Sequence, residues 1–211
     1  MASRSMNKVI HNAVRRDLQR FIDALGSYAA EDPRRARALG LAWNNFDEQL
    51  TRHHKDEHEI VWPTLEVLGV EPARLANLDA EHDKMAAALR RLHEDMTTFS
   101  SSARTRDAEA ALQSFQTLQT VTNDHLDHEE AEIEPVFLAH AGGPELKAMS
   151  RKFMKSQSIS QAGRYFAWLT DSPDADDRSA VAEHVPAPVV AIIGGIFGSG
   201  YRRTIAPVWR V

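Results

Sequence analysis

The sequence predicts an all-α fold, an up-down-up-down four-helix bundle followed by a C-terminal helical extension, and three features carry that expectation. Glycine and proline gather at Asp32-Pro33, Gly69 to Pro72, Ser100 to Arg104 and Gly142 to Pro144, which cuts the first 145 residues into four segments of helical length. β-branched alternation is absent from all four. Each segment also shows one apolar stripe when sampled at alternating steps of four and three residues, the period of a buried helical seam.

In the first segment the seam reads Asn7, His11, Val14, Leu18, Phe21, Leu25, Tyr28. The second gives Leu39, Trp43, Phe46, Leu50, His53, Glu57, Ile60. The third gives Leu75, Leu78, His82, Met85, Leu89, Leu92, Met96, Phe99, and the fourth Ala111, Phe115, Leu118, Thr122, His125, Glu129, Glu132, Val136. Four such stripes joined by short connections are the pattern of antiparallel helices packed around one core. Residues 1–145 are therefore expected to form the bundle, and 146–211 the extension.

Composition narrows the chemistry. Of 211 residues, 43% are hydrophobic and 26% charged, which is ordinary for a globular chain. A formal net charge of -5, with scattered basic residues, argues against nucleic acid as a partner. Cysteine is absent, so disulfides, thiolate zinc sites, iron–sulfur clusters and thiol nucleophiles are excluded, and any metal must be held by nitrogen and oxygen. The start, MASRSMNKVIHNAVRR, has no apolar core of signal-peptide length, so a cytoplasmic protein is expected. The hydrophobic run from Val185 to Tyr201 is short for a membrane span and is broken by two prolines and four glycines.

Every seam carries a histidine, and two carry a glutamate one turn further on. A lone histidine on an apolar stripe is usually a hydrogen-bonded core residue. Here four imidazoles and two carboxylates fall on faces that should be dry, and each unsatisfied buried polar group costs about 1–3 kcal/mol. A shared metal centre would satisfy all six. Antiparallel packing supports it, because His11 and His82 lie near the starts of their helices, and His53, Glu57, His125 and Glu129 near the ends. The chain also repeats itself: His11, His53, Glu57 and Pro63 recur as His82, His125, Glu129 and Pro135, at offsets of 71, 72, 72 and 72 residues. Two similar hairpins facing each other would build a near-symmetric site for two ions.

Four imidazoles and two carboxylates suit iron, manganese or zinc on ligand type, and inward His and Glu pairs on a bundle favour two iron ions. If each ion takes two histidines, one oxygen from each glutamate and an oxo or hydroxo bridge, each keeps an open position for oxygen, nitric oxide or peroxide. The pattern H…H-x3-E…H…H-x3-E, with a proline ten residues after the second and fourth histidines in HHKDEHEIVWP and HLDHEEAEIEP, resembles the haemerythrin-like, or HHE cation-binding, family over roughly residues 7 to 145. That resemblance implies a four-helix bundle with a non-haem di-iron site held by His11, His53, Glu57, His82, His125 and Glu129. It also implies a role among oxygen carriers, oxygen or redox sensors, iron-sensing domains, nitric-oxide or peroxide-reactive proteins and iron–sulfur repair proteins. Two departures stand out: the oxygen carriers have a further histidine where this chain has Ala86, and an aspartate where it has Glu130.

His54, His58 and His128 sit about a third of a turn off the seams and are candidates for a third nitrogen on one ion, a contact to a ligand, a proton relay or plain surface. His93 lies about 16 Å along its helix from His82 and cannot share the centre. His140 and His184 read as surface. Asp56 and Glu59 are expected to face solvent, and Pro63 and Pro135 to end or bend their helices. Beyond the bundle, residues 145 to 170 read as a fifth helix and SPDADDRSA as a polar linker. The arm HVPAPVVAIIGGIFGSGYRRTIAPVWRV is too apolar to be free, and is expected to pack on the bundle or on a second copy as a homodimer contact. The functional expectation is a non-haem di-iron protein that binds or reacts with a small oxidant. An iron-sensing or iron-handling module without turnover, or a structural bundle binding zinc, are the alternatives.

Overall fold

A computed structural model describes residues 4–29 and 31–210, so the first three residues of the expected bundle lie outside the described residues. The described residues are helical throughout their regular structure and contain no strand. The elements are α1 (Met6–Gly26), α2 (Pro33–Asp56), a widened π turn (Glu57–Val61), α3 (Trp62–Val67), α4 (Pro72–Ser102), α5 (Thr105–Ala139), α6 (Pro144–Lys155), α7 (Ile159–Leu169) and α8 (Ala175–His184). A short α9 (Ala187–Val189) leads into a second π segment (Val190–Phe197), then α10 (Ser199–Thr204) and a closing 3₁₀ turn (Ala206–Trp209).

Local chemistry explains the starts and stops. Ser5 caps α1 by accepting from the Lys8 amide, Asp32 caps α2 by accepting from Arg34, and proline occupies the first turn of α2 and α4, where a missing N–H costs nothing. Helix α4 runs to Ser102, past the Ser100 boundary expected from sequence, and turns at Ala103 with a left-handed φ of 55°. Neither proline at the site ends its helix. Pro135 lies inside α5, and ahead of Pro63 the chain widens, with the Trp62 amide donating to the Glu57 carbonyl in place of the usual partner.

Helix α5 packs against α1 and α4, and α2 packs against α4 and α1, forming a helical bundle. Its interior has two apolar parts. The larger includes Leu18, Phe21, Trp43, Phe46, Leu50, Met85, Phe115 and Leu126; the Phe21 and Phe115 rings stack at 4.4 Å. The smaller consists of Val61, Trp62, Leu65, Leu75, Leu78, Ile133 and Phe137. On α2, α4 and α5, the histidines and glutamates fall in the interval between these parts. Past Glu129 the buried positions are Ile133 and Phe137, not the expected Glu132 and Val136. A straight helix turns once per 3.6 residues and drifts off a 3.5-residue stripe over this length.

The extension differs from the sequence expectation in two ways. The single fifth helix is two, α6 and α7, separated at Ser156 to Ser158, where Ser158 and Gln161 form a capping box that starts α7 afresh. The expected polar linker is largely α8: its acids are N-terminal signals, with Asp174 accepting from the Asp177 amide. Trp168, Tyr201, Ile205 and Val208 join the larger apolar core of the bundle, and Trp209 meets Phe21 edge-on at 4.9 Å. Buried Asp17 of α1 accepts from the Trp168 indole at 2.8 Å and pairs with Arg16 and Arg20. No described helix is long and apolar enough to cross a membrane.

Candidate metal centre

Residues from five elements converge in the polar layer. His11 comes from α1, His53 and His54 from α2, Glu57 from the widened turn, His82 from α4, and His125 and Glu129 from α5. They form two groups whose ligand atoms lie within 4.8 Å of one another: His54, Glu57, His82 and His125 in one, and His11, His53, Glu57 and Glu129 in the other. Either group could hold a metal ion, and Glu57 is common to both.

Distances show how the groups interlock. Glu57 Oε1 lies 3.0 Å from His53 Nε2, and its Oε2 lies 3.4 Å from His82 Nε2, so the carboxylate spans both groups. Glu129 Oε2 lies 3.3 Å from His11 Nε2 and 3.6 Å from His125 Nε2, while its Oε1 accepts from Asn7 at 2.8 Å. His82 Nε2 and His125 Nε2 are 3.0 Å apart, and the His54 ring stacks on His82 at 4.2 Å.

These groups fit a cation because little else satisfies them. His11 Nε2, His53 Nε2, His54 Nε2, both Glu57 oxygens and Glu129 Oε2 are buried without a hydrogen-bond partner. The outer nitrogens of His11 and His125 face Glu130 and Glu81, at 3.0 and 2.9 Å. A neutral imidazole facing a carboxylate keeps its proton on that side, which turns the Nε2 lone pair inward. For His125 that lone pair points at His82 Nε2, 3.0 Å away, which donates to it when His82 carries its proton there.

Protonation equilibria set by the protein groups alone agree for three of the imidazoles. Burial and the His11 charge push His53 down to about 3, and burial and His125 push His82 down to about 4. Burial and the imidazoles around it hold His54 well below its ordinary value. All three are neutral near pH 7, the form a metal requires. Burial and the facing Glu129 raise the Glu57 carboxyl well above the usual carboxylate range. Burial opposes ionisation of Glu129 too, but His11, His53 and His125 outweigh it and bring it down to about 2.

The hemerythrin HHE cation binding domain family matches residues 7–137. The chain belongs to this family. No curated protein and no solved structure matches it. All six residues that the HHE motif implied as ligands fall in the two groups. So does His54, whose ring stacks on His82. His54 and His53 are three and four residues before Glu57, and both of these helical spacings put a side chain beside it. Stepping along the seam in fours and threes selects only one of two adjacent residues, which is why His54 stood outside it.

Three other candidates lie outside both groups. His58 is exposed and faces Asp79 at 3.3 Å. His128 is exposed and bonded to Glu81. Glu130 stands behind His11, paired with Arg15 at 2.6 Å and with Lys8. His93 lies against Trp43 and Asp47, away from the centre. Asn7 and Glu81 acquire roles that the sequence did not signal, since nothing in a lone amide or shoulder carboxylate marks the imidazole or carboxylate across the helix interface.

Proposed function

We propose that this HHE-family protein holds two iron ions within an up-down-up-down bundle formed by residues 1–145, and binds or reacts with a small oxidant: oxygen, nitric oxide or peroxide. The observation that carries the reading is the pair of overlapping groups, five imidazoles and two carboxylates, with six buried ligand atoms lacking any other partner. His54, His82 and His125 would serve one ion, His11, His53 and Glu129 the other, and Glu57 both. This division is unequal, where the sequence alone suggested two imidazoles for each ion. Mixed nitrogen and oxygen donors without thiolate suit iron, and such a centre supplies a redox-active Lewis acid for small oxidants.

The chain's own residues prepare that site. Burial keeps His53, His54 and His82 neutral and ready to bind. Trp62, buried and nearly parallel to His82 at 6.2 Å, screens that side from water. Residues 146–211 pack on both apolar parts of the core, with α6 against the widened turn that carries Glu57, and are read as a structural extension. The test is anaerobic loading with ferrous iron, followed by the optical response to oxygen, nitric oxide and peroxide. New near-ultraviolet absorption with any of them, lost in Glu57→Ala, is the expected result; uptake of zinc in preference to iron, with no optical response, would favour a structural centre.

A further inference from the structure

Behind the ligands stand two carboxylates with unlike surroundings. Glu130 Oε1 faces His11 Nδ1, but Arg15 and Lys8 also hold this carboxylate, so its charge is largely cancelled. Glu81, on α4 one residue before His82, faces His125 Nδ1 with Oε2 at 2.9 Å and His128 Nδ1 with Oε1 at 3.0 Å. Its partners among the described residues are those two imidazoles, and neither lysine nor arginine pairs with it. The internal repeat does not account for this pair. The 71-residue offset that relates His11 to His82 puts Ile10 opposite Glu81, and the 72-residue offset puts His58 opposite Glu130.

We propose that Glu81 is a positioning residue for His125, and that its uncancelled charge makes the half of the centre built from His54, His82 and His125 the more electron-rich half. A carboxylate on the outer nitrogen fixes the imidazole tautomer and ring direction and increases its donor strength. The second oxygen, held by His128 at the surface, stops Glu81 from turning away. At His11 the same arrangement is muted, because Arg15 and Lys8 draw on the same carboxylate. The inference rests on the two-ion reading above.

The experiment loads the wild-type chain, Glu81→Ala, Glu81→Gln and Glu130→Gln with ferrous iron, measuring iron affinity by chelator competition and midpoint potential by spectroelectrochemistry. Glu81→Ala is expected to weaken binding of one of the two irons by about 10–100-fold, the usual effect of removing such a partner. Glu81→Gln keeps an acceptor for the His125 N–H, so most of the affinity returns while the potential rises. Glu130→Gln shifts it less. Wild-type affinity and potential in Glu81→Ala would overturn the proposal, as would a loss of melting temperature with both unchanged, which marks a purely structural clamp. If Glu81→Ala does not fold, the nearly isosteric Glu81→Gln carries the test, and an unshifted potential overturns it. Fewer than two irons in the wild type would instead refute the two-ion reading itself.

Discussion

His54 and His58 stand four residues apart on the same stretch of chain and meet opposite fates. His54 is half-buried among imidazoles within the candidate centre, whereas His58 lies in solvent beside Asp79. His54→Ala is therefore expected to lower metal affinity by about 10–100-fold, while His58→Ala leaves it unchanged; metal analysis of the two purified variants distinguishes them. Acid sensitivity follows from the same burial. In chelator-treated protein, His53 and His82 are held down to about 3 and 4, against 6.5 for an ordinary histidine, so the unfolded chain binds more protons across that window. Stability is expected to fall as pH drops from about 6.5 toward 3. His11 acts in the opposite sense. Burial would lower its pKa, but Glu129 and Glu130 raise it to about 9, so its contribution is full below about 6.5 and lost as pH rises through about 9. Melting temperature against pH on metal-free protein checks both limbs.

At the scale of elements, the apolar seams and the Gly and Pro breaks located α1, α2, α4 and α5 because burial on one stripe leaves a periodic trace in sequence. Six site residues were legible for the same reason: His11 or Glu129 on a dry face needs a partner. His54 was legible only as one of three shoulder candidates, since adjacent residues on a helix normally diverge and the shared neighbour Glu57 unites these two. The extension was least legible. Asp174, Asp176 and Asp177 are equally the composition of a linker and of a helix N-terminus, and what decides between them is the burial of Asp177, Ala180 and Val181 against α1. The same packing supports a test on α7. Trp168 is fully buried and donates to Asp17, so Trp168→Ala is expected to cost about 3–5 kcal/mol in urea unfolding, and the surviving folded fraction should retain its metal.

For the whole molecule, a polar layer divides the core into two apolar parts, and the cost of that layer must be met by what it binds. Unpartnered buried groups cost about 1–3 kcal/mol each, and a ligand present at 1,000 times its dissociation constant adds about 4 kcal/mol of stability. Chelation is therefore expected to lower the melting temperature by several degrees, with iron restoring it in proportion to occupancy. The most direct measurement is metal stoichiometry: the chain is purified, loaded anaerobically with ferrous iron, passed through a desalting column and assayed for iron and protein. Two irons per chain, falling well below two in His54→Ala and in Glu57→Ala, is the expected result. One iron or none in the wild type, or two that survive loss of Glu57, would contradict a centre in which one buried carboxylate serves both ions.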